Sequence, residues 1–328
     1  MNKTVERGSQ RGLTLVELLI AMALGLMLVL AATVLLLSTK ASYVALDQLE
    51  VTEETGRYAS EAIARAIRQA GYEYRDADQI SFSSSADLSP NVLGMDGMTL
   101  KKNDAALTSA TARDAVNGSD ILVLRFFGDD KGNGEAGAIL NCAGLAVPAA
   151  TPQGDPEDMR GWSIFYVGKD SGGEPELRCK YQTKNGWNAD AIARGVESFQ
   201  VLYGVDTTGD SAPDRFTNAD GIDVLDQGLA LYGNNASERL NDLKRKTFWK
   251  RVRTIRFAML VRGGELARND ATNHTYHLFG EGYSAAHATQ DKGVRISEQE
   301  LPSATRNRVR KLFSQTIQLR NDAMGSET

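Results

Sequence analysis

Between residues 18 and 37 the sequence carries no charged side chain. A run of that length, coiled as an α-helix, crosses the ~30 Å hydrocarbon core of a bilayer. It constrains the chain more than any other stretch, because a helix that is apolar all round must be covered by lipid or by other helices. Glu17 stands just ahead of the run. A carboxylate in an apolar helix costs on the order of 2–3 kcal/mol, so it marks a function and calls for a partner. A partner arises if the chain is cut after Gly12. Leu13 then carries a positively charged α-amine, four residues before Glu17 on the same helix face. Amine and carboxylate would pair within one chain or between neighbours.

The stretch Arg11-Gly12-Leu13-Thr14-Leu15-Val16-Glu17-Leu18-Leu19-Ile20 resembles the amino-terminal motif of type IV prepilins and of the pseudopilins of type II secretion. The resemblance implies that a prepilin peptidase cuts between Gly12 and Leu13 and methylates the Leu13 amine. It also implies that Glu17, fifth in the mature chain, acts in assembly. The chain departs from the family in one place: Leu13 stands where Phe is usual. An ordinary signal anchor with a stray Glu, or a secretory signal peptide, is the alternative. The apolar region of a signal peptide is shorter, about 7–15 residues, and ends in a small-residue cleavage site.

Residues 1–12 read as the leader. Lys3, Arg7 and Arg11 outweigh Glu6 there, and after the run the nearest charges are Lys40 and Asp47. That basic excess places the amino-terminal side in the cytoplasm and the rest of the chain across a bacterial inner membrane, in a single pass. The run itself is expected over residues 13–37. An amphipathic continuation follows over 38–71, where Ala59, Ala62, Ile63, Ala66, Ile67 and Ala70 recur at helical spacing. Arg57, Glu61, Arg65 and Arg68 lie elsewhere around the helix. Gly71 is the expected stop, and Gly25 and Gly56 are places where the helix can bend. A continuous helix over 13–70 would run roughly 87 Å. Residues 56–72 are similar to the corresponding region of PilW-like minor pilins, although an amphipathic helix on any α+β domain gives the same pattern.

Residues 72–328 are expected to form one β-rich globular domain, periplasmic and then extracellular. Within it 76–118, rich in Ser, Ala, Asn and Asp, reads as an irregular connection. Strands are predicted over 121–127, 162–167, 176–181, 196–203 and 252–261, runs of Val, Ile, Phe and Tyr between turn-forming clusters. In 196–203 the residues Phe199, Val201 and Tyr203 share one face, which predicts a half-buried antiparallel strand. Residues 309–321 resemble the closing strand of many minor pilins. The fold class is therefore α+β and pilin-like: a long amino-terminal helix packed on an antiparallel sheet domain.

A net charge of −5 over 328 residues gives no reason to expect a nucleic-acid partner. The two cysteines, Cys142 and Cys179, both follow the membrane run, and an even count in an exported region predicts one disulfide. Such a bridge contributes about 3–4 kcal/mol through the unfolded chain. Two free buried thiols are the alternative.

Few other patterns carry chemistry. Residues 132–137 have the spacing of a dinucleotide loop but open no useful helix. Residues 169–173 look like a protease serine stretch, yet all three histidines come later, the wrong chain order for that family. His274 and His277 lack the Glu and the helical spacing of a zinc protease. The loop 206–214 places Asp206, Asp210 and Asp214 at positions one, five and nine, a pattern that resembles calcium loops. Asp, Gly and Pro are also plain turn formers, and the turn is the first reading. No cofactor is expected, and calcium is the one candidate ligand.

The resemblance implies a non-enzymatic minor pilin, PilW-like, that helps to start a type IV pilus and sits near its tip. Its expected partners are other major and minor pilins through the helix, prepilin peptidase and the inner membrane, before the pilus carries it to the cell surface. A pseudopilin of type II secretion shares the same amino-terminal features. A membrane-anchored periplasmic enzyme or binding protein is the reading from a different class.

Overall fold

A computed structural model describes Gly12 and residues 14–73, 88–105, 107–112, 115–129, 137–151, 154–268 and 272–321. The leader up to residue 11, Leu13, and residues 132–136 of the glycine-rich stretch lie outside the described residues. The chain divides into two compact units, one ending at Asp47 and the other beginning at Gln48.

The first unit is the apolar part of α1 (Leu15–Gln69). Every described residue from Gly12 to Lys40 is exposed, including the large side chains of the run, such as Leu26 at 75%. Among the described residues this is the one helix long and apolar enough to cross a membrane. Two of its threonine hydroxyls are satisfied within the helix. Thr33 Oγ1 donates to the Val29 carbonyl at 2.8 Å and Thr39 Oγ1 to that of Leu35 at 2.9 Å, as a hydroxyl inside lipid requires.

The second unit takes the rest of α1 as part of its core. Gln48, Thr52, Gly56, Ala59, Ser60, Ile63, Ala64, Ala66 and Ile67 are buried, a stripe repeating every three or four residues. Ala62 is only half-buried at the edge of this stripe, and Ala64 takes a core place that the sequence pattern did not assign. Arg57, Glu61 and Arg65 face solvent. The helix stops where expected: Gly71 has φ +72°, and its N–H leaves the helix to donate to the Arg125 carbonyl at 2.8 Å. Gly56 is a point of close approach: a Cβ there would run into the ring of Phe313.

Two antiparallel sheets receive the helix. The first is a meander in the order β1 (Val92–Met95), β2 (Ile121–Phe126), β3 (Gly161–Lys169), β4 (Pro175–Thr183) and β5 (Gly186–Arg194). The short helix α2 (Pro156–Met159) precedes β3. The second sheet has the spatial order β11 (Arg308–Gln318), β8 (Val252–Leu266), β6 (Val196–Val205) and β7 (Arg215–Thr217). Between β7 and β8 lie α3 (Ala219–Gln227) and α4 (Ala236–Lys246). A two-stranded ladder of β9 (Thr275–His277) and β10 (Arg295–Ser297), with α5 (Glu281–His287) between them in sequence, completes the unit.

The main core lies between the helix stripe and one face of each sheet. Leu122, Leu124, Phe165 and Leu177 meet Ile63 and Ile67 from the first sheet, and Phe199, Val201, Phe257 and Met259 join from the second. Registers set these rows: Met259 lies opposite Phe199 on one side and Phe313 on the other. Each fully buried Ile or Phe of this kind contributes about 1.5–3 kcal/mol.

Three expectations need correction. Strand β6 is not half-buried, since all ten of its residues are buried. Its second face, carrying Leu202, is covered by Leu278, Phe279, Val294, Ile296 and Leu301 from the segment after β8. The connection over 76–118 is not wholly irregular: it contains β1 and a 3₁₀ turn, Val116–Gly118. Strand β5 was not foreseen at all.

Candidate functional site

The helix start is built by two side chains. Thr14 precedes α1, and its N–H and its hydroxyl both donate to Glu17 Oε2 at 2.9 Å. The Glu17 N–H donates back to Thr14 Oγ1 at 3.3 Å. This reciprocal arrangement is a capping box, which satisfies backbone donors that the first turn would otherwise leave open. The spacing Thr14-Leu15-Val16-Glu17 carries that signal, and the sequence reading missed it by treating Glu17 only as a partner for an amine. The carboxylate is thus held at the helix start by Thr14; Leu13, four residues before Glu17, lies outside the described residues. Gly12 is exposed.

The structure joins the two cysteines. Cys142 and Cys179 form a disulfide with Cα atoms 5.8 Å apart. Cys179 sits fully buried in β4, while Cys142 belongs to the loop before α2. The same loop is tied to the end of α1, where Gln69 Nε2 donates to the Leu140 carbonyl at 2.9 Å. The Cys142 N–H donates to Ser163 Oγ on β3 at 2.9 Å. One covalent bond and two hydrogen bonds therefore fix this loop to three elements.

The acidic loop is arranged differently from a metal site. Among the described residues no three His, Cys, Asp or Glu side chains are disposed to hold a metal ion. Asp206 accepts from the N–H groups of Gly209 at 2.5 Å and Ser211 at 2.8 Å, and faces Arg253 at 3.5 Å. Burial pushes its carboxyl up, but those amides and the guanidinium outweigh burial and hold it below the ordinary value. Asp214 is drawn down by the hydroxyl and N–H of Thr207, at 2.8 and 2.9 Å. Asp210 accepts from the Ala212 N–H at 3.0 Å. Each carboxylate serves a turn.

The histidines also serve structure. His277 Nδ1 lies 2.5 Å from Ser284 Oγ, itself buried, and His287 stacks on Tyr283 with ring centroids 4.4 Å apart.

An exposed apolar amino-terminal helix that continues into an α+β unit of antiparallel sheets, with its carboxylate held at the first turn, is the arrangement expected of a type IV pilin. Residues 7–33 match the family model for the prokaryotic N-terminal methylation motif, and residues 164–321 match that of the Type IV Pilus-assembly protein W. The two matches make the chain similar to PilW-like type IV pilins, and they support membrane anchoring and a structural, non-enzymatic role in pilus assembly. No curated protein and no solved structure matches it.

Proposed function

We propose that this chain is a minor pilin, processed between Gly12 and Leu13 by prepilin peptidase and methylated on the Leu13 amine. In this reading the basic leader stays in the cytoplasm and α1 stores the subunit in the inner membrane. Extraction then packs its apolar half into a helical bundle with other major and minor pilins, at the start and tip of a fibre that reaches the cell surface. The observation that carries the reading is the position of Glu17. Its carboxylate is held at the helix start by Thr14, one residue from Leu13, on a helix whose other side chains nearby are apolar and exposed. In a bundle the Leu13 amine would be a buried charge, and Glu17, four residues on, is the carboxylate that would compensate it. The family description names pilus assembly, which favours a pilus over a secretion pseudopilus.

Mass spectrometry of the chain recovered from membranes tests the processing step. An amino terminus at N-methylated Leu13 is expected. A chain that still begins at Met1 in cells with an active prepilin peptidase would refute it. Cross-linking of sheared fibres then tests whether the subunit lies among other pilins.

A further inference from the structure

Three carboxylates that serve neither the helix start nor the acidic loop gather where β6 meets the loop after β1 and the segment after α5. Asp120 is 1% exposed and Asp291 is 3% exposed. Asp120 accepts from the N–H groups of Gly97 at 3.0 Å and Val201 at 2.9 Å, so it joins the residue after Asp96 to β6. Asp96 accepts from the N–H groups of Ala219 at 3.0 Å and Asp220 at 2.7 Å, which fixes the start of α3. Asp291 accepts from the Tyr283 hydroxyl at 2.8 Å, and the Asn218 side chain also hydrogen-bonds its carboxyl. Two glycines in the left-handed region let the chain segments touch. A Cβ on Gly118 (φ +67°) would fall 2.9 Å from the backbone of Lys292, and one on Gly293 (φ +96°) would fall 2.5 Å from the Asn117 carbonyl oxygen.

A second observation concerns the tyrosine aimed at this cluster. Tyr203 is 1% exposed, and its hydroxyl has no hydrogen-bond partner and packs against Gly94. Burial raises its ionisation well above the ordinary value, and the charges of Asp96 and Asp120 raise it further. A buried phenol beside carboxylates as buried as Asp120 and Asp291 needs either a cation or protons. The trio does not converge on a metal position, as noted above for the described residues.

We propose that Asp96, Asp120 and Asp291 form a proton-operated clasp, which holds the start of α3, β6 and the segment after α5 together when it carries protons and loosens when they leave. The neighbours favour protons. Burial lifts the Asp96 carboxyl to about 7 against the opposing Asp220 and Ala219 amides. Burial, then Asp96 and Asp291, lift Asp120, and burial lifts Asp291. Asp220 on α3 adds a like charge, Tyr283 on α5 donates a hydrogen bond, and His287 on α5 draws Asp291 the other way. Lys292, next to Asp291, is exposed. The charges of Asp96 and Asp291 thus bear on Asp120, which links its titration to theirs.

The sign follows from linkage. In the folded chain these carboxyls keep protons that an unfolded chain releases above about pH 4. Stability is then fully present in acid and falls as pH rises towards 7, with the unfolding constant growing about tenfold per pH unit for each retained proton.

Urea unfolding of the full chain in detergent, from pH 5 to 7.5, tests the clasp. We expect at least a tenfold rise per unit in wild type, a flatter profile in Asp291→Asn, and a more stable Asp291→Asn at pH 7.5. Hydrogen exchange on the wild type needs no variant. After correction for intrinsic rates, residues 218–222 and 283–293 should lose protection between pH 5.5 and 7.5 while β3 and β4 keep theirs. A flat wild-type profile, equal slopes in wild type and Asp291→Asn, or unchanged protection in both segments would overturn the proposal. So would a calcium-induced rise in melting temperature at pH 7.5 that Asp291→Asn abolishes, since the trio would then be a cation site.

Discussion

The carboxylate of Glu17 takes both the N–H and the hydroxyl of Thr14, at 2.9 Å each, and the Glu17 N–H returns a bond to the same hydroxyl. Glu17 thus has a local role in starting α1 besides any role toward the Leu13 amine of a processed chain. The two roles separate by substitution, because Gln at the third helical position still completes a capping box but carries no charge.

Glu17→Gln should insert and be processed like wild type, yet enter fibres at least tenfold less well. An unpaired buried amine costs about 3–5 kcal/mol. Thr14→Ala should weaken only the helix start, by about 0.5–2 kcal/mol, and assemble normally. Processed pilin in membranes and in sheared fractions is the readout. Normal fibres from Glu17→Gln together with a defect in Thr14→Ala would make the cap the whole role of Glu17.

Gly56 sits in the helix against Phe313, with no room for a side chain. Gly56→Leu should lose about 1–3 kcal/mol by overpacking, although Leu favours helix more than Gly does. Adding Phe313→Ala to the same chain should recover part of the loss. Denaturation of the full chain in detergent measures both. If Gly56→Leu alone is as stable as wild type, Phe313 swings clear and the contact is not tight.

The bridge between Cys142 and Cys179 fixes the loop that Gln69 and Ser163 also hold. Replacing both cysteines by Ser should cost about 2–5 kcal/mol. In native protein, alkylation without reductant should label neither thiol, and labelling of both would show that the bridge does not form in the cell.

Calcium should leave the melting temperature of the chain unchanged, because Asp206, Asp210 and Asp214 spend their oxygens on turn amides and, for Asp206, on Arg253. Asp206→Ala should lose about 1–3 kcal/mol by leaving buried donors unpaired, whereas exposed Asp210→Ala should stay within about 0.5 kcal/mol of wild type. Because the Asp206 carboxyl lies below its ordinary value, its stabilisation is present above that value and is lost as pH falls through the lower folded one. A calcium-dependent rise that Asp210→Ala removes would restore the metal reading.

Much of this was legible in residue order. The run over 18–37, the stripe from Ala59 to Ala70 and the stop at Gly71 all follow from helical spacing and from the conformational freedom of Gly. The strands rich in Val, Ile, Phe and Tyr were found for the same local reason. Strand β5 was not, since Ala189, Ala191 and Ala193 give no β-branched signal. Asn185-Gly186 at the β4–β5 turn did offer a hairpin signal that went unread. The burial of both faces of β6 was illegible, because it depends on Leu278, Phe279 and Val294, more than seventy residues later. Nor could spacing reveal that Asp96, Asp120 and Asp291 share one place.

Strand β11 pairs along β8, its Phe313 fills the space beside Gly56, its Lys311 pairs with Glu53, and Asn321 beyond it donates to the Arg68 and Ala70 carbonyls at 3.2 and 3.3 Å. The residues that cover this part of α1 are thus made roughly 250 residues after the stripe they cover. During synthesis the inner stripe of the helix stays without that cover until roughly 250 further residues have left the ribosome, and contacts of such separation close slowly. A nascent chain with an uncovered apolar stripe is open to aggregation. Completion of this core is therefore timed by β11, and a ribosome stalled before residue 308 would hold a chain whose helix stripe and β8 edge are both still sticky.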